Sequence, residues 1–480
     1  MSDLCCFSLA GGVARRIVRP LQQRMTWVQS STLRGAIRLQ ARLHHWLTRP
    51  SPVRYIAFGY LGYMAIGWAL LSLPPAQAVP VAAIDTLFIA VSAVSTTGLV
   101  TVDPGTVFTR FGEVVILALI QLGGLGFMTI GSFAWAALSR PAGPLRERVA
   151  RAVFSVSATE DVRRFLRRVV VFTFTVEALG ALALYPLFVA AGVEEPAWAA
   201  LFHSVSAFCT AGFALFPDSL ERFAADPLML GVISAISLLG ALGFLVVSEL
   251  WDRLRGRLDQ LGTTSRLVLR ALPLLVLGGA LLLLLTEPEI HRRPPAEALL
   301  AAAFQSLSAA TTVGFNSIPT AGLVPGAVMV LYLLMLIGAS PSGTGGGLKV
   351  TTVAVLLALV RATGRGETDV QVLGQPVRAE RVRQAASTLV LAFGLLGFAL
   401  FLLALTESLP FDRLLFEALS ALGTVGLSLG ATGQLTDAGK LVIAALMAIG
   451  RIGVLGLAVA LAMQAQRQEA STAQPTDVAL

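Results

Sequence analysis

Long apolar runs fill most of this chain, and the stretches between them are of two unlike kinds. One kind is rich in arginine. The other carries a repeated phrase of small, hydroxyl-bearing and aromatic residues. Eight runs are long enough to cross a membrane, at about residues 53–73, 112–138, 168–191, 228–250, 268–286, 326–360, 386–406 and 439–463. Pro74 and Pro75 close the first of them, since proline cannot continue a helix. The repeated phrase falls between the members of each successive pair. The chain therefore reads as four units of span, short loop, span.

The phrase is FIAVSAVSTTGL from Phe88, FHSVSAFCTAGF from Phe202, FQSLSAATTVGF from Phe304 and FEALSALGTVGL from Phe416. Each copy has Phe first, Ser-Ala at the fifth and sixth places, Thr at the ninth and Gly at the eleventh. Near-even spacing of a little over a hundred residues marks a fourfold internal repeat. The small apolar start suits a short helix, and the Thr-x-Gly end should stop it. Such a segment is too short to span, so it reads as a re-entrant loop, tolerated at membrane depth only where protein or water surrounds it. Four of them suit an ion path. Backbone carbonyls can replace the water of a potassium ion only if some residue adopts a conformation closed to side-chain-bearing residues, which is the role of Gly98, Gly212, Gly314 and Gly426. The helix before each glycine would also aim its negative end at the path. The ion-binding candidates are thus Thr96, Thr97 and Gly98; Thr210, Ala211 and Gly212; Thr312, Val313 and Gly314; Thr424, Val425 and Gly426. The plainer alternative is that each glycine only caps a buried helix.

Composition agrees with the run pattern. The 480 residues are 55% hydrophobic and 13% charged, with a mean hydropathy of +0.77. That charge is about half what soluble chains carry, so an integral membrane protein is expected. The net charge of +8 does not point to nucleic acid, because 27 of the 36 Lys and Arg fall before residue 55 or within 139–168, 251–270 and 361–383. By the positive-inside rule those four stretches are cytoplasmic, and the pore loops enter from outside. Every unit then has the same orientation, which suits a pseudo-fourfold axis rather than inverted repeats. The expected organisation is a basic cytoplasmic or interfacial segment at 1–52, pore repeats at 53–138, 139–250, 251–360 and 361–463, and a cytoplasmic tail at 464–480.

Two features interrupt the repeat. The run at 326–360 is too long for one crossing and is broken at 338–347, where Gly338, Ser340, Gly343, Thr344, Gly345, Gly346 and Gly347 cannot hold a stable helix; Lys349 follows. Irregular backbone at membrane depth implies a cavity, and below the filter it would obstruct the path. Arg451 lies in the apolar last run, where an unpaired charge is costly. It either donates to the carbonyls that the break leaves free or snorkels to the cytoplasmic edge.

Other residues have no shared chemistry in sequence. The second place of the phrase holds Ile89, His203, Gln305 and Glu417, so His203 reads as a local helix-start contact. Asp103 and Asp218 lie beyond their glycines, either concentrating cations at the mouth or simply solvated. Cys5 and Cys6 are free thiols or a lipid site, and Cys209 stands alone. No cluster of nucleophile and base or of metal ligands stands in the spans, so an enzyme is not expected.

The four copies, the break GASPSGTGGGLK and the GRIG around Arg451 occur in the order found in the Trk/Ktr/HKT superfamily of potassium transporters, which the chain resembles over about residues 53–463, most closely the bacterial Ktr pore subunit. The fold this implies is an all-α integral membrane protein with four span, re-entrant loop, span repeats around a central pore. The resemblance also implies potassium uptake gated by the intramembrane loop and Arg451. It implies a dimer on a cytoplasmic RCK-type nucleotide-binding regulatory ring, with the nucleotide on that partner rather than on this chain. Gly98 favours potassium, since the plant members with Ser at this place select sodium. Sodium coupling is left open, and the rival reading is a sodium-permeable transporter of the same fold. The resemblance leans to Ktr because residues 1–50 lack the extra pair of spans of Trk members.

Overall fold

In the computed structural model the described residues are 52–126, 162–341 and 343–453. The N-terminal basic segment with Cys5 and Cys6, most of 139–168, the tail at 464–480 and the far ends of the second and eighth runs lie outside them, as does Ser342.

The described chain is helical, with two short pairs of strands. In the first unit, α1 is Pro52–Leu71, α2 is Ala83–Ser95 and α3 is Arg110–Leu125. The second holds α4 (Val162–Ala190), α5 (Pro196–Phe208) and α6 (Pro227–Leu254). The third holds α7 (Thr263–Thr286), α8 (Pro295–Thr311), α9 (Pro325–Leu336) and, after the break, α10 (Val350–Arg365). The fourth holds α11 (Ala379–Thr406), α12 (Phe411–Gly423) and α13 (Asp437–Ile452). Four helices among the described residues are long and apolar enough to cross a membrane, at Leu166–Ala190, Pro227–Leu254, Thr263–Thr286 and Ala379–Thr406.

The helix starts follow from local chemistry. Proline occupies the first turn of α5, α6, α8 and α9, where its missing N–H costs nothing. Asp226 caps α6 by accepting from Leu228 N and Met229 N, and Thr109 and Thr436 cap α3 and α13. The short helices α2, α5, α8 and α12 each carry one copy of the phrase. Its leading Phe88, Phe202, Phe304 and Phe416 are all buried. Small residues let the neighbours close in: Ser204 Oγ donates to Glu177 O and Ser306 Oγ to Val276 O, each beside a glycine of the preceding long helix, Gly180 or Gly279. With no hydrophobic drive between helices in lipid, such close packing and hydrogen bonding hold the units together.

Each phrase-bearing helix packs between the helices that precede and follow it in its own unit, and also touches the helix that follows the phrase in the unit before: α5 against α3, α8 against α6, α12 against α9 and α2 against α13. The order of neighbours returns from fourth to first. Polar links cross the same seams. Trp198 Nε1 donates to Glu113 at 2.7 Å, Leu220 N to Asn316 O at 3.1 Å, and Thr320 Oγ1 to Ser428 O at 2.5 Å. At the last seam Lys440 Nζ pairs with Asp85 at 2.7 Å, with both side chains 13% exposed.

The expectation that only the third unit breaks its second span is corrected. Helix α3 ends at Gly126 (φ 74°, ψ 137°), α6 is interrupted at Gly243 (φ 76°, ψ 160°) and α13 ends at Gly453 (φ 91°, ψ 126°). The signal lies in the sequence as LGGLG, LGALG, IGAS and IGRIG, beginning at Leu122, Leu239, Ile337 and Ile449. Only glycine tolerates these positive φ values readily.

The Lys440–Asp85 pair yields a test of how the fourth unit joins the first. Lys440→Met leaves a largely buried carboxylate unpaired, which costs about 3–5 kcal/mol and should lower the apparent unfolding midpoint in detergent. Adding Asp85→Asn should recover most of the loss. Equal midpoints for the single and double variants would contradict the pairing.

Candidate functional site

The end of each phrase is built the same way in all four copies. The ninth-place threonine turns left-handed, with φ of 52° at Thr96, 50° at Thr210, 60° at Thr312 and 48° at Thr424. Its N–H donates to the carbonyl of Ala93, Ala207, Ala309 or Ala421, and the next N–H, of Thr97, Ala211, Val313 or Val425, donates to Ser92, Ser206, Ser308 or Ser420. This is a Schellman arrangement with Thr in the place usually held by Gly. The helix is therefore capped before the glycine is reached. Gly98 (φ 92°), Gly212 (65°), Gly314 (80°) and Gly426 (97°) then turn left-handed a second time, two residues on. The sequence reading gave the special conformation to glycine alone; the structure divides it between Thr and Gly.

The fifth-place serine braces the turn. Ser92 Oγ accepts from Gly98 N at 3.1 Å and Ser420 Oγ from Gly426 N at 3.0 Å. Ser206 and Ser308 instead donate to Phe213 O and Phe315 O, at 2.8 and 2.7 Å.

Each glycine also meets its neighbour. A Cβ on Gly98 would collide with Ala211 O, one on Gly212 with Val313 O, one on Gly314 with Val425 O and one on Gly426 with Thr97 O. Taken in that order, the four contacts make a closed circuit. All four glycines line one cavity of about 260 Å³. Asp103 also lines it, while Asp218 is held by Arg222 at 2.6 Å. Partial burial alone would raise the Asp218 pKa, but the hydrogen bonds and charge of Arg222 outweigh it and hold the carboxyl below its usual range. The two aspartates are thus unlike, and of the two only Asp103 lines the cavity.

At the second place the local contact read for His203 is present, its Nδ1 lying 2.7 Å from Ala199 O near the start of α5, but the reading that the place has no shared chemistry is corrected. Buried His203, Gln305 and Glu417 share one task, which is to accept a hydrogen bond from the chain just past the glycine. Leu215 N donates to His203 Nε2 at 3.4 Å and Ser317 N to Gln305 Oε1 at 3.3 Å. Glu417 accepts from Ser428 Oγ at 2.5 Å, Thr432 Oγ1 at 2.6 Å and the N–H groups of Leu429 and Ala431. Leu215, Ser317 and Leu429 occupy the same place in their copies. Three different side chains hid the common role, and Ile89 in the first copy lacks it.

On the other side of the four turns lies the break in the third unit. Its ends are pinned by a two-residue parallel pairing, β1 (Ile337–Gly338) with β2 (Leu348–Lys349). Ser340 N and Thr344 N donate to Ala241 O and Gly240 O of α6, at 3.3 and 3.0 Å, and Gly343 N to Ser340 O. Gly346 N donates to Thr312 Oγ1 at 3.0 Å, and Thr344 Oγ1 to Phe208 O at 3.0 Å. A Cβ on Gly345 or Gly346 would strike Thr312 or Thr424, and one on Gly347 would strike Gly338. Lys349 Nζ folds back onto Gly345 O at 2.5 Å.

Arg451 reaches this loop. Its Nη1 donates to Thr344 O at 2.5 Å, and its Nη2 to Gly123 O at 2.5 Å and Gly124 O at 3.4 Å. Both α3 acceptors lie in the last turn of the helix, just before it ends at Gly126, and Gly123 O also accepts from Tyr60 Oη at 3.2 Å. The recurring L/I-G-x motif puts Arg451 where Gly124, Ala241 and Ala339 stand in the other units. Among the described residues no group of three His, Cys, Asp or Glu could hold a metal, and Cys209 is a buried free thiol.

The sequence matches the TrkH cation transport protein family over residues 69–471. It is 36% identical to a Ktr system potassium uptake protein B of Vibrio alginolyticus, over 85% of this chain and 91% of that protein. A protein of the same description from Bacillus subtilis is 34% identical, covering 85% and 92%. The potassium/sodium uptake protein NtpJ of Enterococcus hirae is 32% identical, covering 89% and 97%. In fold, the chain resembles the crystal structure of the potassium transporter TrkH from Vibrio parahaemolyticus, with a TM-score of 0.68 at 20% identity over 85% of this chain and 84% of that one.

The second-place tether is open to a direct check. Glu417→Leu strands several buried donors, each costing about 1–3 kcal/mol, and should lower the unfolding midpoint sharply. Glu417→Gln keeps an acceptor and should fall between Leu and wild type. A Leu variant as stable as wild type would contradict the tether.

Proposed function

The chain belongs to the TrkH family of cation transport proteins, and we propose that it takes up potassium through a path ringed by the four Thr-x-Gly turns, as the membrane subunit of a Ktr-type system. One observation carries the reading: four sequence-equivalent glycines, each pressed against a carbonyl of the next unit, line a single cavity. Left-handed turns at Thr and again at Gly can bring successive carbonyls to one side, which is what a dehydrating cation needs. In this reading the pore is pseudo-fourfold, the protein lies in the cytoplasmic membrane, and both termini are cytoplasmic with the basic segments.

The loop at 338–347 is the gate, and Arg451 is its latch. The loop sits against Thr312 and Thr424, on the side of the turns away from the mouth. Arg451 ties it to α3 of the first unit. The guanidinium would also repel a cation, by about 2 kcal/mol at ~8 Å if the effective dielectric is ~20. The basic segments at 139–168, 251–270 and 361–383 are where a cytoplasmic RCK-type regulatory ring would bind, in a homodimeric assembly set among membrane lipids, with the nucleotide on the ring. The sodium-permeable reading keeps one support, the potassium/sodium description of the Enterococcus hirae relative.

Uptake by potassium-transport-deficient cells tests both parts. The wild-type chain with a cognate regulatory subunit should restore growth at low potassium; no uptake of either ion would reject the function. Arg451→Lys keeps the charge and loses the planar donor fork, whereas Arg451→Gln loses the charge. Both should raise flux in the absence of the subunit, Gln more than Lys. Wild-type flux in both would remove Arg451 from the gate.

A further inference from the structure

The four threonines that cap the pore helices are equivalent in sequence and backbone, and all are fully buried, yet their hydroxyls fall into two classes. Thr96 Oγ1 and Thr424 Oγ1 have no hydrogen-bond partner. Thr210 and Thr312 are engaged by the loop. Gly346 N donates to Thr312 Oγ1 at 3.0 Å, taking up a lone pair and placing a positive N–H end beside it. Thr210 Oγ1 has two acceptors within reach of its single proton, Cys209 O at 2.7 Å and Thr344 Oγ1 at 3.2 Å, the latter itself donating to Phe208 O. Gly346 also lies so close to Thr424 Oγ1 that a Cβ there would collide with it.

Buried hydroxyls left without partners are expensive. Two of them, on equivalent residues at the end of an ion path, are unfilled acceptors of the kind that oxygen-seeking monovalent cations use. We propose that the gate loop and the ion compete for this ring of hydroxyls, so that release of the loop both clears the path and completes an inner site for a dehydrated monovalent cation. The inference rests on the filter reading given above. In the loop-docked arrangement Thr312 is claimed by an N–H group and Thr210 has Thr344 within reach, and the site is half assembled. Because coupling is reciprocal, an ion held by the four hydroxyls disfavours loop docking as much as docking disfavours the ion.

Thr344 is the positioning residue for this exchange. Its backbone N–H and carbonyl bind Gly240 and Arg451, while its hydroxyl alone faces Thr210 and Phe208. Thr344→Val therefore loosens the loop from the filter and leaves the Arg451 contact in place.

The full chain in liposomes, without any regulatory subunit, provides the test, with potassium and sodium flux both read. Thr312→Val removes a loop anchor and should raise potassium flux about two- to tenfold, the equivalent of one net hydrogen bond. Thr96→Val removes the same group from a threonine whose hydroxyl the loop does not hold, and should lower flux. Thr344→Val should raise flux by a similar factor with the potassium-over-sodium preference kept, and Thr344→Ser, which restores the hydroxyl, should bring flux back. Should Thr312→Val fail to insert, the Thr344→Val and Thr344→Ser pair decides alone. Changes of the same sign in Thr312→Val and Thr96→Val, or no effect of Thr344→Val, would overturn the competition while leaving the filter in place. Unaltered ion preference in both the Thr96→Val and Thr312→Val variants would instead count against the filter reading itself.

Discussion

The arrangement depends on how closely four glycine Cα atoms approach carbonyl oxygens of the neighbouring unit. A side chain at Gly98, Gly212, Gly314 or Gly426 would force the neighbouring unit's backbone to shift, because a Cβ there would meet it. Backbone from one unit is thereby set against backbone from the next, without intervening side chains. The phrase around each glycine serves this approach. The leading Phe anchors the helix in the core, the serine braces the turn, and the second-place polar residue holds the chain that leaves it.

The glycine breaks in α3, α6 and α13, and the loop after α9, follow from the same geometry. A short helix that ends inside the protein needs room beneath it, and Gly123, Gly240 and Gly450 let the second helices pass against the carbonyls of Val94, Phe208 and Leu422. The helices end or kink at Gly126, Gly243 and Gly453, and carbonyls near the first of these points and in the loop accept from side chains. Arg451 takes three of them, from two different units, in a single planar side chain. That makes it a cross-link as well as a charge.

Much of this is legible in the residues. The fourfold phrase, the break at 338–347 and the pairing of Arg451 with carbonyls of that break are read from repetition, from glycine content and from the cost of a buried charge. The left-handed threonines were not legible, because an αL residue with a branched side chain runs against local propensity and is imposed by packing. The second-place tether was hidden because His, Gln and Glu are chemically unlike and share only the ability to accept. The shared irregularity of the second spans is visible as a recurring L/I-G-x-x-G in three of the four units, and the longer Gly-rich interruption replaces it in the third.

The central claim is that the four glycine turns set ion preference, and the most direct measurement is the ratio of potassium to sodium uptake by wild-type protein and the Gly98→Ser variant in liposomes. A serine there must bear a Cβ against Ala211 O in a left-handed conformation, which displaces one quarter of the circuit and brings in a hydroxyl. The expected result is a clear fall in potassium preference with flux retained. An unchanged ratio in folded, inserted protein would contradict the account.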